Sequence, residues 1–292
     1  METKRPTVLE LEKLFDDPIK ILDHGFILVS DYMGNDNSVV QAARVSYGRD
    51  MEKKDGKGLI NYLMKHKHTS PFEMCEIKFC IQAPIFVVRQ WFRHRTANIN
   101  EYSARYSILS KEFYLPSIEN INAQSKMNHQ GRGEKLAENE CNKILDILRE
   151  DSLKCYDYYE KMLNYDDKGE KINSEFDGVA RELARIGLTL NYYTRFYWKI
   201  DCHNLMHFLE LRCDSHAQFE IREYANAMLN IFKIWMPLSY DAFVNYRKNA
   251  ITLSEKQLEL IKNITNGKTI DYNKLLNRRE FDELIDIFGL KT

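Results

Sequence analysis

Two hydrophobic periods run along the chain. GFILVSDYM (25–33) is a short β-rich run bounded by Gly34-Asn35-Asp36, which predicts a strand and then a turn. Ser38 heads VVQAARV, with Gln41 three residues on. That is a capping box, in which the two side chains satisfy each other's orphan backbone donors, so a helix is expected to start there. Leu59, Tyr62 and Leu63 recur at helical spacing within Gly58 to His66. Met74 to Gln82 alternates instead: Cys75, Ile77, Phe79 and Ile81 face one side, Glu76, Lys78 and Gln82 the other. A period of two predicts a half-buried strand. Ala83-Pro84 ends it, and Pro84 suits the first turn of a helix carrying Ile85 to about Phe92.

From Arg93 to Ser107 the apolar pattern fades, and 117–133 reads as a surface loop. A long helix is expected from about Glu134 to Asn164, with Leu136, Ile144, Ile147, Leu148 and Leu163 as its apolar stripe. A turn at 165–173 precedes three helical stretches, about 178–198, 204–211 and 215–236. Residues 247–292 read as a small helical appendage, with helix starts at Ser254 with Gln257 and at Asn277 with Glu280. The mixture is α+β, with helices dominating.

Composition narrows the function classes. Over 292 residues, 42 basic and 43 acidic side chains leave a charge of -1, which predicts no general affinity for nucleic acid or anionic membrane. No run approaches the ~20 apolar residues of a membrane span. METKRPTVLELEKLF lacks a signal-peptide core, and the six cysteines form no close pair. They read as reduced thiols of a cytoplasmic protein.

The densest chemistry lies in RQWFRHRTANINEYSARYS, residues 89–107. If the helix continued, Arg89 and Arg93 would share one face, and Gln90 and His94 the next. Arginine offers a planar donor fork suited to phosphate or carboxylate. Several arginines repel one another unless an anion answers them. Glu101 is one internal answer, and a phosphorylated small ligand is another. The residues alone leave three readings: a solvated basic helix end, a phosphate or nucleotide site, or a single-stranded nucleic-acid surface using Tyr102 and Tyr106. Overall neutrality argues against the last. His203 and His207, with Cys202, Cys213 and His216 nearby, hold the parts of a zinc site, but HNLMH lacks the HExxH glutamate. No metal is expected. The aromatic run Tyr192, Tyr193, Phe196, Tyr197 and Trp198 reads mainly as packing in a core or a subunit interface.

Arg93-His94-Arg95, seven residues, then Ser103 resembles the signature of the flavin-dependent thymidylate synthases. KHKHTSPFE (65–73), APIFVVRQWFRHR (83–95), NEYSARYS (100–107), ARIGLTLNYYTRFYW (184–198) and LRCDSHAQFEI (211–221) resemble that family in the same order. The resemblance implies one α+β domain with an antiparallel sheet and flanking helices, over 22–247. An N-terminal leader (1–21) and a helical C-terminal extension (248–292) flank it. It implies conversion of dUMP to dTMP, with 5,10-methylenetetrahydrofolate as one-carbon donor and NADPH reducing FAD. It also implies homotetramers whose active sites are shared between subunits. The family's flavin ligands fall on Ser70, Arg93, His94, Arg95, Glu101, Asp201, His203 and His207. His68 and Glu73 stand behind Ser70. Its dUMP ligands fall on Gln90, Arg93, Glu101, Ser103, Ala104, Arg105, Arg185 and Arg212. The arginine matching Arg212 activates the uracil by favouring its ionised N3. Family members often carry Asn at 201 and 207 and Arg at 203, where this chain has Asp201, His207 and His203. The 117–175 region matches weakly, and the tail after about 250 has no counterpart within the resemblance.

Overall fold

The computed structural model describes residues 5–45, 56–126, 131–267 and 276–289. Its N-terminal half holds α1 (Leu9–Glu12), β1 (Ile19–Ile21), β2 (Gly25–Met33), α2 (Asp36–Val45), α3 (Gly56–Lys65), α4 (Ser70–Glu73), β3 (Glu76–Pro84) and α5 (Ile85–Trp91). There follow β4 (Asn98–Glu101), β5 (Asn122–Gln124), β6 (Arg132–Lys135), α6 (Glu138–Leu163), α7 (Arg181–Ala184) and β7 (Tyr193–Asp201). The chain closes with α8 (Cys202–Arg212), α9 (Phe219–Trp235), α10 (Pro237–Phe243), α11 (Glu255–Thr265) and α12 (Arg278–Phe288).

The sheet is antiparallel throughout, in the order β1-β2-β3-β7-β4. β2 keeps the bounds its sequence predicts, and Gly34, at φ 84, makes the turn after it. From Phe79 to Pro84 β3 is buried on both faces rather than one, with Gln82 covered by Glu112 and Arg195, while Glu76 and Lys78 stay half-buried. Pro84 ends β3 as expected and stands at the N-cap of α5, one position before the first turn in which it was expected. The helix expected at Ser38 starts earlier, at Asp36, because the Asn35 side chain accepts from Asn37 N and Ser38 N. That is an ordinary asparagine cap.

The largest correction concerns 178–198. Instead of one helix it holds the four-residue α7, a 3-10 turn (Arg185–Gly187) and then β7. Thr194, Phe196, Trp198 and Ile200 point into the core while Arg195 and Tyr197 face outward. The aromatic run therefore packs, but with the period of a strand. Trp91 of α5 is its hub: it lies 5.5 Å from Phe196, 5.5 Å from Trp198, 5.1 Å from Phe208 and 5.6 Å from Tyr224. This aromatic core locks α5, β7, α8 and α9 together.

The 117–133 loop also has structure: β5 and β6 pair, though 127–130 lie outside the described residues. That ribbon consumes 132–135 and delays α6 to Glu138, where Glu140 accepts from Ala137 N. The buried face of α6 is Cys141, Ser152, Tyr156, Tyr159 and Leu163, while Ile147 is exposed. Tyr156 donates to Leu109 O at 2.7 Å and Tyr159 accepts from Leu109 N at 3.3 Å. These bonds tie down the segment that follows β4.

Two compact units divide the chain, ending and beginning at Tyr246 and Arg247. The second has its own small core of Leu260, Leu276 and Leu284. Both of its helices start with the expected capping boxes, Ser254 with Gln257 and Asn277 with Glu280.

Candidate active site

The residues singled out in the sequence gather at the two ends of the β4–β7 ladder. At one end α5 meets α8. α5 stops at Trp91, so Arg93 and His94 lie in a turn, with His94 N donating to Trp91 O, and Arg89 and Arg93 do not share a continuous helical face. Arg93 and Arg95 are exposed, whereas His94 is 7% exposed. Its ring lies 5.4 Å from that of His207 and 5.5 Å from Phe208, and Thr96 Oγ1 is 3.1 Å from Nε2. Burial, then the neighbouring His207 and Arg212, press the His94 pKa down to about 4. The ring is thus a neutral imidazole at neutral pH, one nitrogen a donor and the other an acceptor.

Arg212, at the end of α8, is half-buried, and burial lowers its pKa. Its Nε is out of water with no hydrogen-bond partner, and so is Gln90 Oε1 on α5. Leaving such a group unsatisfied costs about 1–3 kcal/mol, more for a charge.

Asp201 caps α8: its carboxylate accepts from Asn204 N at 2.9 Å and from Asn204 Nδ2 at 2.6 Å. Aspartate caps as well as asparagine does, which accounts locally for Asp at this position. Arg95, Asn98, Asp201 and Asn204 line a recess of about 320 Å³, beside the Lys199–Glu76 ion pair at 2.8 Å. His203 is half-buried and His207 exposed, one turn apart on α8. Ser70 is exposed at the start of α4, which packs on α8. His66 and His68 cluster instead with Tyr62, at 4.3 and 5.8 Å between ring centroids. Among the described residues, no group of three or more His, Cys, Asp or Glu side chains is arranged to hold a metal ion.

At the other end of the ladder, Glu101 accepts from Thr194 Oγ1 at 2.9 Å. The carboxylate that answers the arginines is therefore not Glu101. Arg105 pairs with Glu182 on α7, at 3.1 Å from Nη2 and 3.2 Å from Nε. Ser103 Oγ accepts from Arg105 N at 3.3 Å, and Ala104 is buried between them. Arg185 Nε reaches Glu182 O at 3.4 Å, and Arg181 Nη1 donates to Tyr106 O at 2.8 Å. Arg181 and Arg185 both act electrostatically on the Tyr159 hydroxyl, while the Glu182 carboxylate itself holds Arg105. The sequence reading singled out neither Thr194 nor the Arg181-Glu182 pair. The one local signal was Arg181 lying four residues before Arg185.

Comparisons with known proteins agree on a family. The model of the thymidylate synthase complementing protein family matches residues 28–238. The flavin-dependent thymidylate synthase of Rickettsia conorii is 54% identical over 290 residues, 98% of this chain and 99% of that protein. Its Wolbachia pipientis wMel counterpart is 50% identical over 292 residues, 99% of each. These alignments span the C-terminal tail, so the tail has counterparts, contrary to the expectation from the family motifs. Among solved structures, a UMP/dUMP methylase, PolB from Streptomyces cacaoi bound with 5-Br UMP, superposes with a TM-score of 0.68. It is 30% identical and covers 79% of this chain and 98% of its own.

Proposed function

This chain belongs to the flavin-dependent thymidylate synthases, and from that premise we propose that it converts dUMP to dTMP with FAD, 5,10-methylenetetrahydrofolate and NADPH. The observation that carries the reading is the half-buried Arg212, its Nε without a partner, beside a neutral His94. Flavin, when bound, supplies the redox chemistry, and the protein positions and polarises.

In this reading Ser70, Arg93, His94, Arg95, Glu101, Asp201, His203 and His207 hold the flavin. Gln90, Arg93, Glu101, Ser103, Ala104, Arg105, Arg185 and Arg212 hold dUMP. Arg105 and Arg185 grip the phosphate through charge-assisted hydrogen bonds. Arg212 places a fixed cation where negative charge gathers at N3 or O4 of the uracil as carbon 5 becomes nucleophilic. His94 donates one hydrogen bond without adding a second positive charge beside Arg212. Cysteine nucleophiles are not required. Burial pushes the Cys75 thiol up to about 12, and Cys202 is likewise buried.

We propose further that the sites are shared between subunits of a homotetramer. β7 runs from Thr194, beside Glu101, to Asp201, beside Arg95. Seven strand steps make roughly 23 Å, more than a nucleoside monophosphate spans. Residues at the two ends of that strand would then serve one nucleotide only across a subunit boundary. The Arg105–Arg185 face is also unusually apolar: Tyr106 and Ile186 are each 74% exposed and Leu190 62%. Such a patch suits an interface. No disulfide joins any of the six cysteines, which supports a cytoplasmic location. No helix among the described residues is long and apolar enough to cross a membrane.

The test is anaerobic turnover with dUMP, methylenetetrahydrofolate, NADPH and FAD, omitting one component at a time. Formation of dTMP that needs all four is expected. Undiminished dTMP formation in flavin-free protein without added FAD would sink the reading.

A further inference from the structure

Glu182 is not among the residues proposed to hold flavin or dUMP, yet it occupies the Arg105 guanidinium. One of its carboxylate oxygens takes both Nε and Nη2, at 3.2 and 3.1 Å. That edge of the fork is one of the two through which a guanidinium can bind a phosphate in bidentate fashion. Around it, Arg181 and Arg185 make no ion pair with any described residue; they donate to the backbone carbonyls of Tyr106 and Glu182. Among the described residues, Glu182 is thus the carboxylate that pairs with Arg105, on the short helix that also carries Arg181 and precedes Arg185. Both partners of the Arg105–Glu182 pair are more than half exposed, at 55% and 58% for their side chains. Exposed pairs of this kind are weak and readily exchanged.

We infer that Glu182 is an internal stand-in for the substrate phosphate. It holds Arg105 in place while the site is empty and yields the guanidinium when the nucleotide's phosphate arrives. This rests on the reading of Arg105 and Arg185 as phosphate ligands. Two anions cannot share the Nε–Nη2 edge, and a carboxylate left beside a phosphate dianion repels it. Either way Glu182 opposes binding of the phosphate, and only of the phosphate. It is a positioning residue that sets how tightly the site holds a monophosphate and how readily it lets one go.

The experiment measures equilibrium binding of dUMP and of deoxyuridine, which lacks the phosphate, to the full FAD-loaded protein. The wild type is compared with Glu182→Gln, Glu182→Asp and Arg105→Ala. Glu182→Gln is expected to tighten dUMP by about two- to fivefold, the range an exposed ion pair supports. Deoxyuridine affinity stays at the wild-type value, which a misfolded variant would not preserve. Glu182→Asp, which keeps the charge, stays near wild type for both ligands. Unchanged or weaker dUMP binding in Glu182→Gln overturns the inference, as does an equal shift for deoxyuridine. If Arg105→Ala weakens dUMP while Glu182→Gln does not tighten it, the phosphate reading stands and the stand-in role falls. If Arg105→Ala leaves dUMP affinity untouched, the phosphate reading falls and takes the inference with it.

Discussion

The two ends of the β4–β7 ladder handle positive charge in opposite ways. At the α5–α8 end the guanidinium of Arg212 is half-buried, its Nε has no partner, and it faces a buried imidazole too hard to protonate to add charge. At the other end Arg105 and Arg185 are exposed, and Arg105 already holds a carboxylate. A cation kept from water without a partner is expensive, so it persists where a ligand's developing charge repays the cost. An exposed cation with an exchangeable partner costs little and binds modestly. The first arrangement suits polarising a ring, and the second suits catching and releasing a phosphate.

Four changes sharpen or break that contrast. The largest effect is expected for Arg212→Ala, which should cut dTMP turnover by about 100- to 1,000-fold. The protein-bound flavin absorbance should stay near wild type, and parallel loss of flavin would make Arg212 a cofactor ligand instead. Next comes His94. Its folded pKa lies near 4, below the ordinary histidine value near 6.5, so the unfolded chain binds the extra proton first. Its contribution is present above the unfolded value and is lost as pH falls toward the folded one, on the order of 3 kcal/mol in all. Denaturant melts of wild type and His94→Gln between pH 7 and 4 should converge toward acid; parallel curves would show that His94 is not held neutral. Arg185→Ala should weaken dUMP by about 30-fold, the worth of a charged hydrogen bond. Equal weakening of deoxyuridine would move Arg185 away from the phosphate. The smallest effect is expected for Thr194→Val, which frees Glu101 from its buried hydroxyl donor. A loss of about 1 kcal/mol, or severalfold in ligand affinity, follows, with Thr194→Ser restoring it.

What the sequence revealed was local. The bounds of β2, the end of β3 at Pro84 and the boxes at Ser254 and Asn277 depend on neighbours a few residues away, and they stand in the structure as expected. β7 was hidden because aromatic residues packed densely enough satisfy a helical face as easily as an alternating one. Pairing with β3 and β4 decides it, and those strands lie far away in sequence. The same holds at the candidate site. Residue types alone marked the arginines of 89–105, and their internal counter-charge was expected nearby, at Glu101. It comes instead from Glu182, 77 residues beyond Arg105, through a fold that no local pattern encodes. His94 likewise reads as an ordinary titrating histidine until the fold buries it and α8 brings His207 and Arg212 near.

The division between the two ends is tested most directly by the dependence of initial rate on dUMP concentration for Arg212→Ala and Arg185→Ala, side by side with FAD saturating. Arg185→Ala should recover most of the wild-type rate once dUMP is raised, because it loses binding shared by ground and transition states. Arg212→Ala should stay slow at any dUMP concentration. Recovery of both variants at high dUMP, or of neither, would contradict the account.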